Sequence, residues 1–146
     1  MPTALRTKPS GTPRAYVVDA SVAVKWFSQE QGSVRARRIL RDAQKRTTEL
    51  FAPDLLYYEV GNALGKGKRL EGPLAREAMH VLLALPVTIV SLHASQIDQL
   101  VFFMDTYGLT FYDAAYAALA VELSAPLLSA NPKDHGKIKE LKLITL

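Results

Sequence analysis

AYVVDASVAVKW, residues 15–26, sets the reading of the whole chain. Tyr16, Val17 and Val18 form a short aromatic and β-branched run, which predicts a strand buried on both faces. Asp19 ends the run, Ser21 follows, and an apolar helical pattern covers about 21–27. In an open α/β sheet, ligands gather outside the carboxyl ends of the strands. An acid at that stop is therefore placed for chemistry, and burying it there is costly unless a metal or donors satisfy it. Asp or Ser at a strand-to-helix junction also reads as a helix N-cap. This stretch alone leaves both readings open.

Working outward, strands and helices alternate. Residues 1–13 hold three prolines, a glycine, Arg6 and Lys8 without periodicity and read as a flexible basic tail; they lack the apolar core of a secretory signal. Residues 32–47 predict a helix whose outer face carries Arg35, Arg37, Arg38, Arg41, Lys45 and Arg46, either a solvated face or a phosphate-attracting one. A second strand over 50–52 stops at Pro53, and a helix over 55–70 carries Leu56, Val60, Ala63 and Leu64 at helical spacing. Glu59 borders that stripe, with Asn62 on the same face and Lys66, Lys68 and Arg69 at the helix end. A helix over 74–85, a strand over 87–90 and a helix over 93–107 follow, the last with Ile97, Leu100, Val101 and Met104 as its inner stripe. His80 and His93 read as surface or capping residues. Thr110 and Asp113 have capping-box spacing at the start of an alanine-rich helix. A fourth strand over 126–129 leads to Asn131, a short helix over 133–139 and a fifth strand over 141–145. The pattern predicts one α/β domain over 14–146, a three-layer α/β/α arrangement around a parallel sheet.

Composition narrows the chemistry. The 146 residues suit one domain, and with 49% apolar residues a real core is within reach. There is no cysteine, which excludes disulfides and thiolate zinc sites and is compatible with a reducing cytoplasm. No apolar run approaches the roughly 18 residues of a membrane span. The formal charge of +4 suits an anionic partner such as RNA. No GxxxxGK[ST] loop, GxGxxG turn or GxSxG elbow is present.

Three carboxylates stand where right-handed crossovers collect strand ends on one edge: Asp19 after strand one, Glu59 early in the helix after strand two, and Asp113 in the first turn of a later helix. Asn131 after strand four adds a neutral oxygen. Glu59 read alone is also explained as compensating the helix macrodipole. Gathered acids raise one another's pKa unless a cation neutralises them. Oxygen donors with several waters suit Mg²⁺ or Mn²⁺, which point to metal-assisted phosphodiester hydrolysis.

VVDASVAVKW (17–26), APDLLYYEVGNAL (52–64), LTFYDAAYAALA (109–120) and APLLSAN (125–131) resemble the PIN-domain family, specifically its VapC-like toxin ribonucleases, in the family's order. The resemblance implies a PIN-like domain with a five-stranded parallel sheet in order 3-2-1-4-5. It also implies a Mg²⁺- or Mn²⁺-dependent endoribonuclease, a homodimer, and a small antitoxin that blocks the site. By it, Asp19, Glu59 and Asp113 fall on the acidic metal positions, and Ser21 and Ser129 on hydroxyl positions that orient carboxylates. Asn131 departs from the pattern, where the family usually has an acid, and Asp134 lies at a different spacing. The functional expectation is a cytoplasmic toxin nuclease in which Arg35, Arg38, Lys66, Lys68 and Arg69 steer RNA. The alternative, motivated by Asn131, is a catalytically weak PIN-like module that binds RNA or a protein.

Overall fold

The computed structural model describes residues 11–146. Of the predicted tail only Gly11, Thr12 and Pro13 fall within it, exposed and outside regular structure; the rest lies outside the described residues. Five strands, β1 (Arg14–Val18), β2 (Thr48–Pro53), β3 (Val87–Val90), β4 (Leu127–Ser129) and β5 (Leu143–Thr145), form one sheet in the order β3-β2-β1-β4-β5. Every pairing is parallel, with Tyr16 opposite Leu50 on one side of β1 and Val18 opposite Leu128 on the other. Val17, Val18, Leu127 and Leu128 are fully buried. That is why these central strands read as apolar runs without a polar face.

Between β1 and β2 run α1 (Ala20–Ala23), a 3₁₀ turn (Val24–Trp26) and α2 (Ser33–Gln44); between β2 and β3 run α3 (Leu55–Asn62) and α4 (Gly72–Ala84). The return from β3 to β4 passes through α5 (Ile97–Tyr107) and α6 (Phe111–Glu122), and α7 (Pro132–His135) follows β4. Right-handed crossovers in opposite directions from the first strand cover both faces of the sheet, giving three layers. The strand order reverses between β1 and β4, and the chain ends leaving these two strands face each other there. Such a reversal opens a crevice at the carboxyl edge of a parallel sheet.

Three helices differ from the predicted pattern. The helix expected over 55–70 closes at Asn62 and continues as a π-helical turn, Ala63–Gly67, in which Lys68 N–H reaches the Ala63 carbonyl at 2.8 Å. Gly65 and Gly67 lower helix propensity there, so the wider turn competes. The helix expected over 93–107 begins as a 3₁₀ turn capped by His93, and its inner face is Leu100 and Phe103. Ile97 and Val101 are 39% and 44% exposed. Both stripes satisfy helical spacing, and the larger Phe103 ring takes the interior against α6. The last short helix spans only Pro132–His135. Among the described residues no helix is long and apolar enough to cross a membrane.

Candidate active site

Asp19 stands at the end of β1 and also caps α1. Its backbone N–H extends the sheet to the Leu128 carbonyl at 3.1 Å, while its Oδ1 accepts the Val22 N–H at 3.3 Å. The helix-cap reading of this acid therefore holds, and the same residue stands at the carboxyl end of the strand. The Ser21 hydroxyl donates to the same Oδ1 and accepts the Ala130 N–H at 2.9 Å, which ties the start of α1 to the end of β4. The carboxylate is buried. Burial pushes its pKa above the usual carboxylate range, against the opposing pull of the Ser129 and Ser21 hydroxyls, the His135 ring and the Val22 N–H.

Glu59 projects from α3 beside Leu56 and Val60, which face the core. It is half-buried, and its carboxyl is pushed up to about 7, first by burial and then by the charges of Asp113 and Asp19. Asp113 is the third residue of α6. Its backbone N–H donates to the Thr110 hydroxyl at 3.1 Å, so the predicted cap forms and fixes the acid's turn.

These three acids, from three separate stretches of chain, line one pocket of about 190 Å³ at the carboxyl edge of the sheet. Ser21, Asn131 and Asp134 border the same pocket, and Tyr116 and His135 complete its wall. Ser129 is fully buried, and its hydroxyl bonds the Asn131 backbone, accepting N–H at 3.1 Å and donating to the carbonyl at 3.2 Å. Asn62 lies outside the pocket, in an adjoining groove with Tyr58 and Tyr112 that Glu59 and Asp113 also border.

The basic residues are spread more widely. Arg35 and Arg38 border a separate cleft with Arg14, Thr48, Leu128 and Ile144, apart from the acid-lined pocket. Arg35 also donates to the Thr145 carbonyl at 3.1 Å. Lys68 pairs with Glu30, which in turn holds Lys25 at 3.1 Å. Lys66 and Arg69 are exposed and make no ion pair among the described residues.

Two lining residues were not legible as site residues. Tyr116 is one helical turn after Asp113, so helical spacing could have placed it. Its buried hydroxyl is pushed above the usual tyrosine range by burial and by Glu59, Asp19 and Asp113. His135 is buried, with Nδ1 3.8 Å from Asp19 Oδ2. Its only sequence signal is its position four residues after Asn131.

The donor set is carboxylate, amide and hydroxyl oxygen, with one imidazole. Among the described residues no three carboxylate or imidazole groups already close on one point at metal-ligand spacing. Mutually repelling oxygen donors around a roomy pocket fit a hard divalent cation that keeps several waters as ligands.

The comparisons with known proteins identify the family and agree with the fold. The model of a family described as the PIN domain matches residues 16–141. The chain is 34% identical to ribonuclease VapC3 of Pyrobaculum aerophilum over 119 residues, covering 79% of this chain and 88% of that protein. It is 32% identical to ribonuclease VapC1 of Mycobacterium tuberculosis over 133 residues, covering 88% and 96%. In fold it is similar to the crystal structure of VapBC2 from Rickettsia felis bound to a promoter DNA fragment, with a TM-score of 0.69 at 14% identity over 90% of this chain and 98% of that one. With a family match across nearly the whole described chain and the acids in one pocket, this protein belongs to the PIN domain family.

Proposed function

We propose that the protein is a metal-dependent endoribonuclease and the toxin of a toxin–antitoxin pair. The observation that carries this reading is the meeting of Asp19, Glu59 and Asp113 in one pocket, where burial and mutual repulsion hold the Glu59 proton on up to about pH 7. The ribonuclease names of its relatives support the substrate class.

Asp19 and Asp113 hold Mg²⁺ or Mn²⁺, directly or through water. A cation held there would offset the repulsion of the acids and would supply Lewis-acid activation of a water and charge stabilisation on phosphoryl oxygens. Ser21 and the Val22 N–H keep the Asp19 carboxylate oriented, while Ser129 holds the Asn131 backbone beside it. Glu59, half-buried beside Asp19 and Asp113, orients the attacking water and accepts its proton. Asn131 offers one neutral oxygen, Asp134 a charged one from the next turn, and Asn62 a polar contact in the adjoining groove. Lys66, Lys68 and Arg69 beyond α3, with Arg35 and Arg38 on α2, steer the RNA backbone by charge.

The protein works in the cytoplasm as a homodimer, with residues 1–13 a basic tail outside the catalytic domain of 14–146. An antitoxin covers the site. The exposed rings of Tyr58 and Tyr112 beside the acids support a protein partner there.

Asp19→Asn tests the reading. Asparagine caps a helix as well as aspartate does, so the fold is kept. RNA cleavage in Mg²⁺ or Mn²⁺ should fall by at least about a hundredfold, with the circular dichroism spectrum unchanged. Undiminished metal-dependent cleavage by this variant overturns the assignment. Calorimetry of the wild type with Mn²⁺ separates the alternative: no binding at millimolar metal makes the protein a binding module.

A further inference from the structure

His135 is a buried polar ring that the reaction outlined above does not use. Its Nε2 lies 3.1 Å from the Asp113 backbone carbonyl. A carbonyl only accepts, so Nε2 carries the hydrogen and donates it. In the neutral ring Nδ1 is then a lone pair, and it faces Asp19 Oδ2 at 3.8 Å. One side chain thus bonds the backbone of one acid and packs beside the carboxylate of another without bonding it, and α7 carries it there from beyond β4.

The surrounding contacts show what the ring adds. Asp19 Oδ1 already accepts from Ser21 and from the Val22 N–H, so Oδ2 is the oxygen His135 faces. The Asp113 N–H is held by Thr110, and His135 takes the carbonyl of the same residue. Asp113 is therefore anchored on both sides of its Cα, once from α6's own cap and once from α7. A hydrocarbon ring of similar size would fill the space and leave the Asp113 carbonyl without this donor.

We propose that His135 is a positioning residue that anchors Asp113 from α7, beside Asp19, and so sets the pocket's affinity for a divalent cation. This rests on the metal-dependent reading above, and the test keeps the two apart. Mn²⁺ is titrated calorimetrically into the wild type, His135→Phe and His135→Gln, with thermal unfolding followed in parallel. Glutamine can place an amide N–H where Nε2 stands; phenylalanine cannot. The expected result is Mn²⁺ binding weakened by about 10–100-fold in His135→Phe, the range for groups that orient metal ligands, and largely recovered in His135→Gln. Wild-type affinity in His135→Phe overturns the inference. So does equal weakening in both variants that tracks their loss of thermal stability, since that marks packing alone. A wild type that binds no Mn²⁺ defeats the metal-dependent reading itself.

Discussion

The Ser21 hydroxyl accepts the Ala130 N–H at 2.9 Å, joining the first turn after β1 to the residue that follows β4. The same hydroxyl donates to Asp19. One small side chain therefore closes the crevice where the strand order reverses and holds the acid that the crevice presents.

Ser21→Ala removes both contacts and leaves a backbone N–H short of its partner. A hydrogen bond of this kind contributes about 0.5–1.5 kcal/mol, more when it reaches a charged group. Urea unfolding should show a loss of about 1–2 kcal/mol. Because this hydroxyl holds the Asp19 pKa down, the carboxyl should titrate still higher in the variant, and Mn²⁺ should bind more weakly by calorimetry.

The raised carboxyl of Glu59 makes the metal-free protein sensitive to pH. Its pKa moves from an ordinary 4.5 to about 7 on folding. Between those values the folded state binds more protons than the unfolded one, so stability falls as pH rises through that window. Metal-free protein should therefore melt at a lower temperature at pH 8 than at pH 5, with the slope reduced in Glu59→Gln. Saturating Mn²⁺ should flatten the dependence, because cation and proton compete for the same acids. A melting temperature that rises with pH in the metal-free wild type would contradict this.

The face that α5 turns inward is open to a direct comparison. Phe103 is fully buried against α6, whereas Val101 is 44% exposed. Phe103→Ala should cost about 3–5 kcal/mol in denaturant unfolding, and Val101→Ala within about 0.5 kcal/mol. Equal effects would place the inner stripe where helical spacing alone suggested it.

What the sequence determined by itself was local chemistry and its order. The run Tyr16–Val17–Val18 lacks a polar face because β1 lies between β2 and β4 with helices on both sides, and a central parallel strand has no solvent side to mark. Asp19 at its end and Thr110 three residues before Asp113 announce their caps through side-chain hydrogen bonds that reach only to the next turn. Asp19 and Asp113 were legible as candidates for the same reason, whereas Glu59 showed only as an acid bordering an apolar stripe.

Only the tertiary structure decided what meets what. Glu59 is an ordinary acid on a helix until α3 brings it beside Asp19 and Asp113, and its raised pKa comes from burial and charges distant in sequence. His135 carries no local signal beyond its spacing from Asn131, since the groups it faces are an acid more than a hundred residues earlier and a carbonyl on another helix. Arg35 and Arg38 read as one basic face, yet only the fold shows that they border a cleft apart from the acids and that Arg35 holds the Thr145 carbonyl at the end of β5. The inner stripe of α5 was settled by the size of one ring against α6, a matter of packing that spacing along a single helix does not contain.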